Sequence, residues 1–216
     1  MLFPCLTIFM VFIITLAVRY QQINRKQKEV QDAFWEREAQ ANTVPAVDLD
    51  SLSYITVPLE RFPLGAFSDA DMIAMEDRLK ELSEQRLLNL TGKTNTELKE
   101  LYGVPNLATV QSYGDNFDEL TVLLKDYGSA LIDRECISDA VAVLEFAASQ
   151  GTDISQNYIL LGQCYATLGQ YEKISYLMEQ VSSMSLILGP SILRHLQAIL
   201  DEHSPNEPEQ TEDFTL

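Results

Sequence analysis

At 216 residues the chain has room, beyond an anchor and a tail, for one helical domain of ordinary size with a real core. Its 15 Lys and Arg face 32 Asp and Glu, a formal net charge of -17, and the imbalance is uneven: residues 1–41 hold five basic and four acidic groups, the rest 10 and 28. So acidic a surface repels nucleic acid and anionic lipid heads, which need Lys and Arg to displace counterions, and it argues against a nucleic-acid partner.

The first predicted element runs from Leu2 to Val18, LFPCLTIFMVFIITLAV, without a charge. At about 1.5 Å per residue it covers about 25 Å, near the lower limit of hydrocarbon thickness, with Tyr20 placed for the interface. No basic residues precede the run and no small residues close it, so it reads as a retained anchor rather than a cleaved signal. Residues 1–20 are therefore expected to form a transmembrane helix, with residues 2–18 in the lipid bilayer. Arg19, Arg25, Lys26 and Lys28 follow closely, and the positive-inside tendency puts the remainder in the cytoplasm.

Residues 21–45 read as a polar helical stalk rich in Gln, Glu, Lys and Arg, ending at Asn42-Thr43-Val44-Pro45 because the residue before a proline avoids the helical region. Val30, Phe34 and Trp35 make a narrow apolar stripe on it. They are expected to pack back on the domain or lie at the lipid surface, with self-association of the stalk as the sharper alternative.

Residues 46–67 come next as an extended apolar strap. Tyr54, Ile55, Val57, Leu59, Phe62, Leu64 and Phe67 are interrupted by Pro58, Pro63 and Gly65, too broken for helix and too apolar to leave in water. Burial in its own domain is the plain expectation, and docking on a partner is the alternative.

The helical domain is expected over residues 68–202. A helix starts at Ser68 with Asp71 three residues on, ends near Gln85, and carries Met72, Ile73, Met75, Leu79 and Leu82 on its buried stripe. Thr94 and Glu97 cap a short second helix that stops at Tyr102-Gly103-Val104-Pro105. After an irregular stretch to Asn116, four helices are expected over 117–134, 138–150, 155–168 and 171–183, with Gly151 and Gly169 at helix ends. Ile192, Leu193, Leu196, Ile199 and Leu200 give a last amphipathic helix, and residues 203–216 form an acidic, disordered tail.

Within this domain Gly128 recurs at Gly162, 34 residues on, and large and small side chains recur around each glycine. Leu124, Tyr127, Leu131, Ala140, Leu144 and Ala147 are answered by Tyr158, Leu161, Tyr165, Ile174, Met178 and Val181. Tyr158, Leu161-Gly162, Tyr165, Gly169 and Tyr171 carry a resemblance to tetratricopeptide repeats over residues 121–188, with departures at Tyr127, Leu131, Ile174 and Val181. The resemblance implies an all-α fold of stacked helical hairpins, with flanking helices as caps. It also implies a concave face, lined by the first helix of each hairpin, that takes a protein or peptide partner. Carried over by position, that face offers Lys125, Ser129, Asp133, Gln156, Gln163 and Thr167.

No catalytic arrangement emerges. The two histidines, His195 and His203, have no metal-ligand set around them, and there is no phosphate-cradling glycine loop or nucleophile elbow. Cys5 lies in the apolar run, and Cys136 and Cys164 lie in the predicted helical region without CxxC spacing, so neither a disulfide framework nor a metal site is expected. No cofactor is implied. The chain reads as a membrane-anchored interaction module, a scaffold or adaptor rather than an enzyme; the alternative is a structural subunit held in a membrane complex by its stalk and strap.

Overall fold

The computed structural model describes residues 2–184 and 186–203, with side chains from residue 9 onward. Among the described residues every regular element is helical: α1 Leu2–Ala41, α2 Ala70–Ser83, α3 Asn95–Tyr102, α4 Leu107–Ile132, α5 Ile137–Ser149, α6 Ser155–Thr167, α7 Tyr171–Ser183 and α8 Gly189–His203. Short 3-10 turns lie at Leu49–Ser51, Leu59–Arg61 and Val104–Asn106. The expected tail, from residue 204 on, lies outside the described residues. The chain forms two compact units, Met1–Asp50 with Thr94–Ala108, and Ser51–Lys93 with Thr109–Leu216.

The first unit is built on α1. It carries no Gly, and its one proline, Pro4, falls in the first turn, where a missing N–H costs nothing, so the helix continues unbroken from the apolar run into the polar stretch. Among the described residues no helix is long and apolar enough to cross a membrane. Residues 2–8 of the expected anchor have side chains outside that set, and the rest of the run, 9–18, covers only about 15 Å at 1.5 Å per residue.

Among the described side chains of α1, those of the last turns meet other protein. The Arg37 guanidinium donates to both oxygens of Glu100, at 2.7 and 2.6 Å. Glu38 accepts from Thr96 Oγ1 at 2.7 Å and pairs with Lys99, and Ala41 is buried. Val30, Phe34 and Trp35, expected to pack back on the domain or to lie at the lipid surface, are all exposed, Val30 at 72 %, and Phe34 and Trp35 touch each other edge-on at 5.3 Å between centroids. Their part of the helix lies too far from α3 to be covered by it, since α3 is eight residues long and engages the far end.

The helix α3 forms where its capping box predicts. Thr94 Oγ1 accepts from the Glu97 N–H, and the Glu97 carboxylate accepts from the Thr94 N–H at 2.7 Å. It stops at Gly103, with φ of 80° and ψ of 149°, a region open essentially to glycine alone. A Cβ there would also sit 2.3 Å from the Pro45 carbonyl oxygen. The loop after α1 is tied down beside it: the Val47 N–H donates to Tyr102 O at 3.2 Å, and Asn106 Nδ2 donates to Val47 O at 2.7 Å.

In the second unit α2 lies along α4. Arg78 donates twice to Glu119, at 2.6 and 2.8 Å, and Arg134 pairs with Asp69 at 2.5 Å. The latter pair moves the helix start: Asp69 is the N-cap, its carboxylate is spent on Arg134, and α2 opens at Ala70 rather than Ser68. Met72, Leu79 and Leu82 are buried as expected. Ile73 is exposed instead, and the buried face takes Glu76, 3 % exposed, whose carboxylate accepts from Tyr127 OH at 3.2 Å and from the Gly65 N–H at 2.8 Å.

The stretch 107–116, expected to be irregular, is the first part of α4. Gly114 reads as a breaker in sequence, but here it is a packing residue: a Cβ on it would come within 2.7 Å of Leu90 Cδ1. The remaining helices fall within a residue or two of expectation. Gly151 and Gly169, at φ of 70° and 69°, close α5 and α6. Gly128 of α4 receives Leu144 of α5, and Gly162 of α6 receives Leu196 of α8, at 2.7 and 2.5 Å from where a Cβ would stand. Ile192, Leu196 and Ile199 bury the inner face of α8.

Residues 52–67 lie in this unit. Val57 and Phe62 are buried, Tyr54 and Ile55 half-buried, and Phe62 meets Phe146 of α5 edge-on at 5.9 Å. The Ile55 N–H donates to Leu87 O at 3.1 Å.

Two outcomes test this description. Gly103→Ala should cost about 2–4 kcal/mol in chemical unfolding, because the forbidden φ and the Pro45 contact add. The Lys99 hydrogen bond, then that from Thr96, holds the Glu38 carboxyl below its ordinary value of 4.5. A lowered folded value means stability that is full above pH 4.5 and lost as pH falls toward the folded value, so amide-exchange protection of residues 94–106 should fade below about pH 4.5, before that of α5–α8.

Candidate functional site

The sequence-predicted face is carried by two helices. Lys125 and Ser129 stand four residues apart on α4, Asp133 lies in the turn just past its end, and Gln156, Gln163 and Thr167 stand at steps of seven and four along one side of α6. The helices adjoin, since Asn157 Nδ2 of α6 donates to Thr121 O of α4 at 3.2 Å. Asp133, Gln156, Gln163 and Thr167 are exposed; Lys125 and Ser129 are half-buried. Lys125 Nζ pairs with Asp126 at 2.7 Å, and Thr167 Oγ1 donates to Gln163 O at 2.9 Å, which leaves the side-chain amides of Gln156 and Gln163 facing solvent. The face is polar and carries one cation among its six positions.

The folded chain also makes a cleft of about 350 Å³ on the other side, between α5, α6 and α7, with Arg61 of the strap at its edge. Phe146, Leu161 and Leu177 give it an apolar floor. Within it, Glu145 accepts from Tyr165 OH at 2.7 Å and from Lys173 Nζ at 3.2 Å, and Lys173 stands over the Tyr165 ring at 5.1 Å. Burial, then the bond to Glu145 and its charge, holds the Tyr165 phenol well above its ordinary range, so it serves as a hydrogen-bond donor. Tyr176, exposed at the rim, offers a flat apolar surface. An apolar floor with two cations and a carboxylate at the edge suits a side chain or short segment of a partner.

Sequence reading missed this cleft. Tyr165 enters the sequence reading only through the repeat, and Lys173 and Tyr176 are not singled out by any pattern there. Arg61 comes within reach only because the strap folds against α5, which no local pattern announces. The lysine and tyrosine at steps of three on α7 were the one available signal.

Burial pushes the Cys164 thiol up to about 11, and Cys136 is half-buried. His195 Nδ1 lies 2.8 Å from the Ser191 carbonyl oxygen of its own helix. Among the described residues no group of three His, Cys, Asp or Glu is placed to hold a metal ion. Comparison with known proteins gives no match to a family model, a curated protein or a solved structure.

Tyr165→Phe should lower stability by about 1 kcal/mol, since Glu145 is one-third exposed and recovers part of the lost bond from water. The exposed Gln163→Ala should stay within about 0.5 kcal/mol of the parent in the same urea titration.

Proposed function

We propose that this chain is a single-pass membrane protein whose tetratricopeptide-like helical domain recruits a protein partner from the cytoplasm. The observation that carries the reading is the run of helices α4 to α8, in which Gly128 and Gly162, 34 residues apart, each take a leucine from a neighbouring helix, Leu144 of α5 and Leu196 of α8. Stacked hairpins of this period bind other proteins far more often than they catalyse. In the family resembled, partners lie along the first helix of each hairpin, which here assigns the contact to Lys125, Ser129, Asp133, Gln156, Gln163 and Thr167.

Anchoring is supported by α1 itself. Phe9, Met10, Val11, Phe12, Ile13, Ile14, Leu16 and Val18 are all exposed and lie around the whole helix, a distribution that suits lipid and not one-sided packing on protein. The strap argues for recruitment over the structural-subunit alternative, because Val57 and Phe62 are buried within their own unit and are not free to dock elsewhere.

Crosslinking in intact cells, followed by mass spectrometry, tests the reading with the full chain and with Lys125→Glu/Asp133→Lys. A specific partner should be recovered with the parent and fall at least tenfold with the variant, which circular dichroism should show to be folded. Equal recovery from both would remove the α4–α6 face as the contact surface.

A further inference from the structure

We infer that α1 pairs with α1 of a second copy of this chain, as a parallel two-stranded coiled coil. Ile13, Leu16, Tyr20, Ile23, Gln27, Val30 and Phe34 follow one another at alternating steps of three and four. That spacing keeps one seam facing a partner helix, the period of 3.5 that two supercoiled helices require. The six apolar members are 45–72 % exposed. The next two seam positions are already taken: Arg37 by Glu100, and Ala41 by burial in the first unit. Ahead of these, no side chain of the described residues lies on the seam.

The occupant follows from the seam's chemistry. Gln27 both donates and accepts, so a copy of itself satisfies it, and one polar residue on an apolar seam fixes register. In parallel register the flanking positions set Arg19 against Asn24 and Lys26 against Gln31, so no like charges meet. Six large side chains from each copy, at about 100 Å² each, would bury on the order of 1,200 Å², the lower end of stable interfaces. Beyond the apolar run, an isolated polar helix is marginal in water without a packed face, and the pairing supplies one. The parallel sense rests on the anchoring reading above, since one bilayer holds both copies the same way up.

The test uses the full chain in membrane vesicles, with the native cysteines replaced by alanine and one cysteine introduced at a time. Val30→Cys and Phe34→Cys lie on the seam, and Asp32→Cys lies opposite it. Mild oxidation should give at least tenfold more dimer at 30 and 34 than at 32. Equal yields at all three, monomer at all three, or a crosslink to a protein of different mass would each overturn the pairing. Alkaline extraction of the same vesicles is scored separately. Release of the chain would defeat the anchor while leaving a seam-specific dimer standing, and retention without dimer would defeat the pairing alone. As a second measure, Val30→Asp in the otherwise unaltered chain should halve the mass seen by light scattering in mild detergent.

Discussion

The close approach of helices at Gly128 and Gly162 is the constraint on which the second unit depends. A leucine methyl occupies the space of each missing Cβ, and the two leucines come from different places, Leu144 from the partner in the hairpin and Leu196 from the next helix on. One glycine therefore closes a hairpin and the other stacks the following helix upon it. Side chains of fixed volume, Tyr127, Tyr158, Leu131 and Leu161, fill the space between, all of them buried. The tyrosines are affordable there because their hydroxyls have partners: Tyr127 at Glu76, Tyr158 at Thr152 O.

The strap is fixed by a polar node inside an apolar setting. A buried carboxylate is costly unless its oxygens are satisfied, and Glu76 takes one bond from α4 through Tyr127 and one from the strap through the Gly65 backbone. The strap, α2 and α4 are thereby held to a common geometry, the last joined across 51 positions. The surrounding contacts of Phe62 and Val57 supply the apolar area, and the carboxylate selects which of the possible alignments is adopted.

Helices whose signals are local were legible in the sequence. The Thr94–Glu97 box and the glycines at 151 and 169 report contacts made within a few residues, whereas the 34-residue period marks two close approaches of helices but not that Leu144 fills one and Leu196 the other. What escaped was settled across longer separations. Gly114 reads as a breaker until Leu90 is placed against it. Ile73 and Glu76 exchange expected environments because Tyr127 and Gly65 arrive from elsewhere. The pairing of α3 with α1 joins residues about sixty positions apart through side chains that look like ordinary surface charge. The six residues of the α4–α6 face are named only by what the tetratricopeptide resemblance implies, and the α5–α7 cleft depends on Arg61 and Glu145, which no periodicity connects.

The unbroken backbone of α1 has a consequence for distance. From Arg19 to Ala41 the helix rises about 34 Å at 1.5 Å per residue, and its far end is clamped by Arg37, Glu38 and Gly103 rather than left to swivel. A flexible segment of the same length would let its two ends approach and part freely. A rod instead fixes the spacing between its ends, so whatever holds the first end sets where the clasp at the other stands.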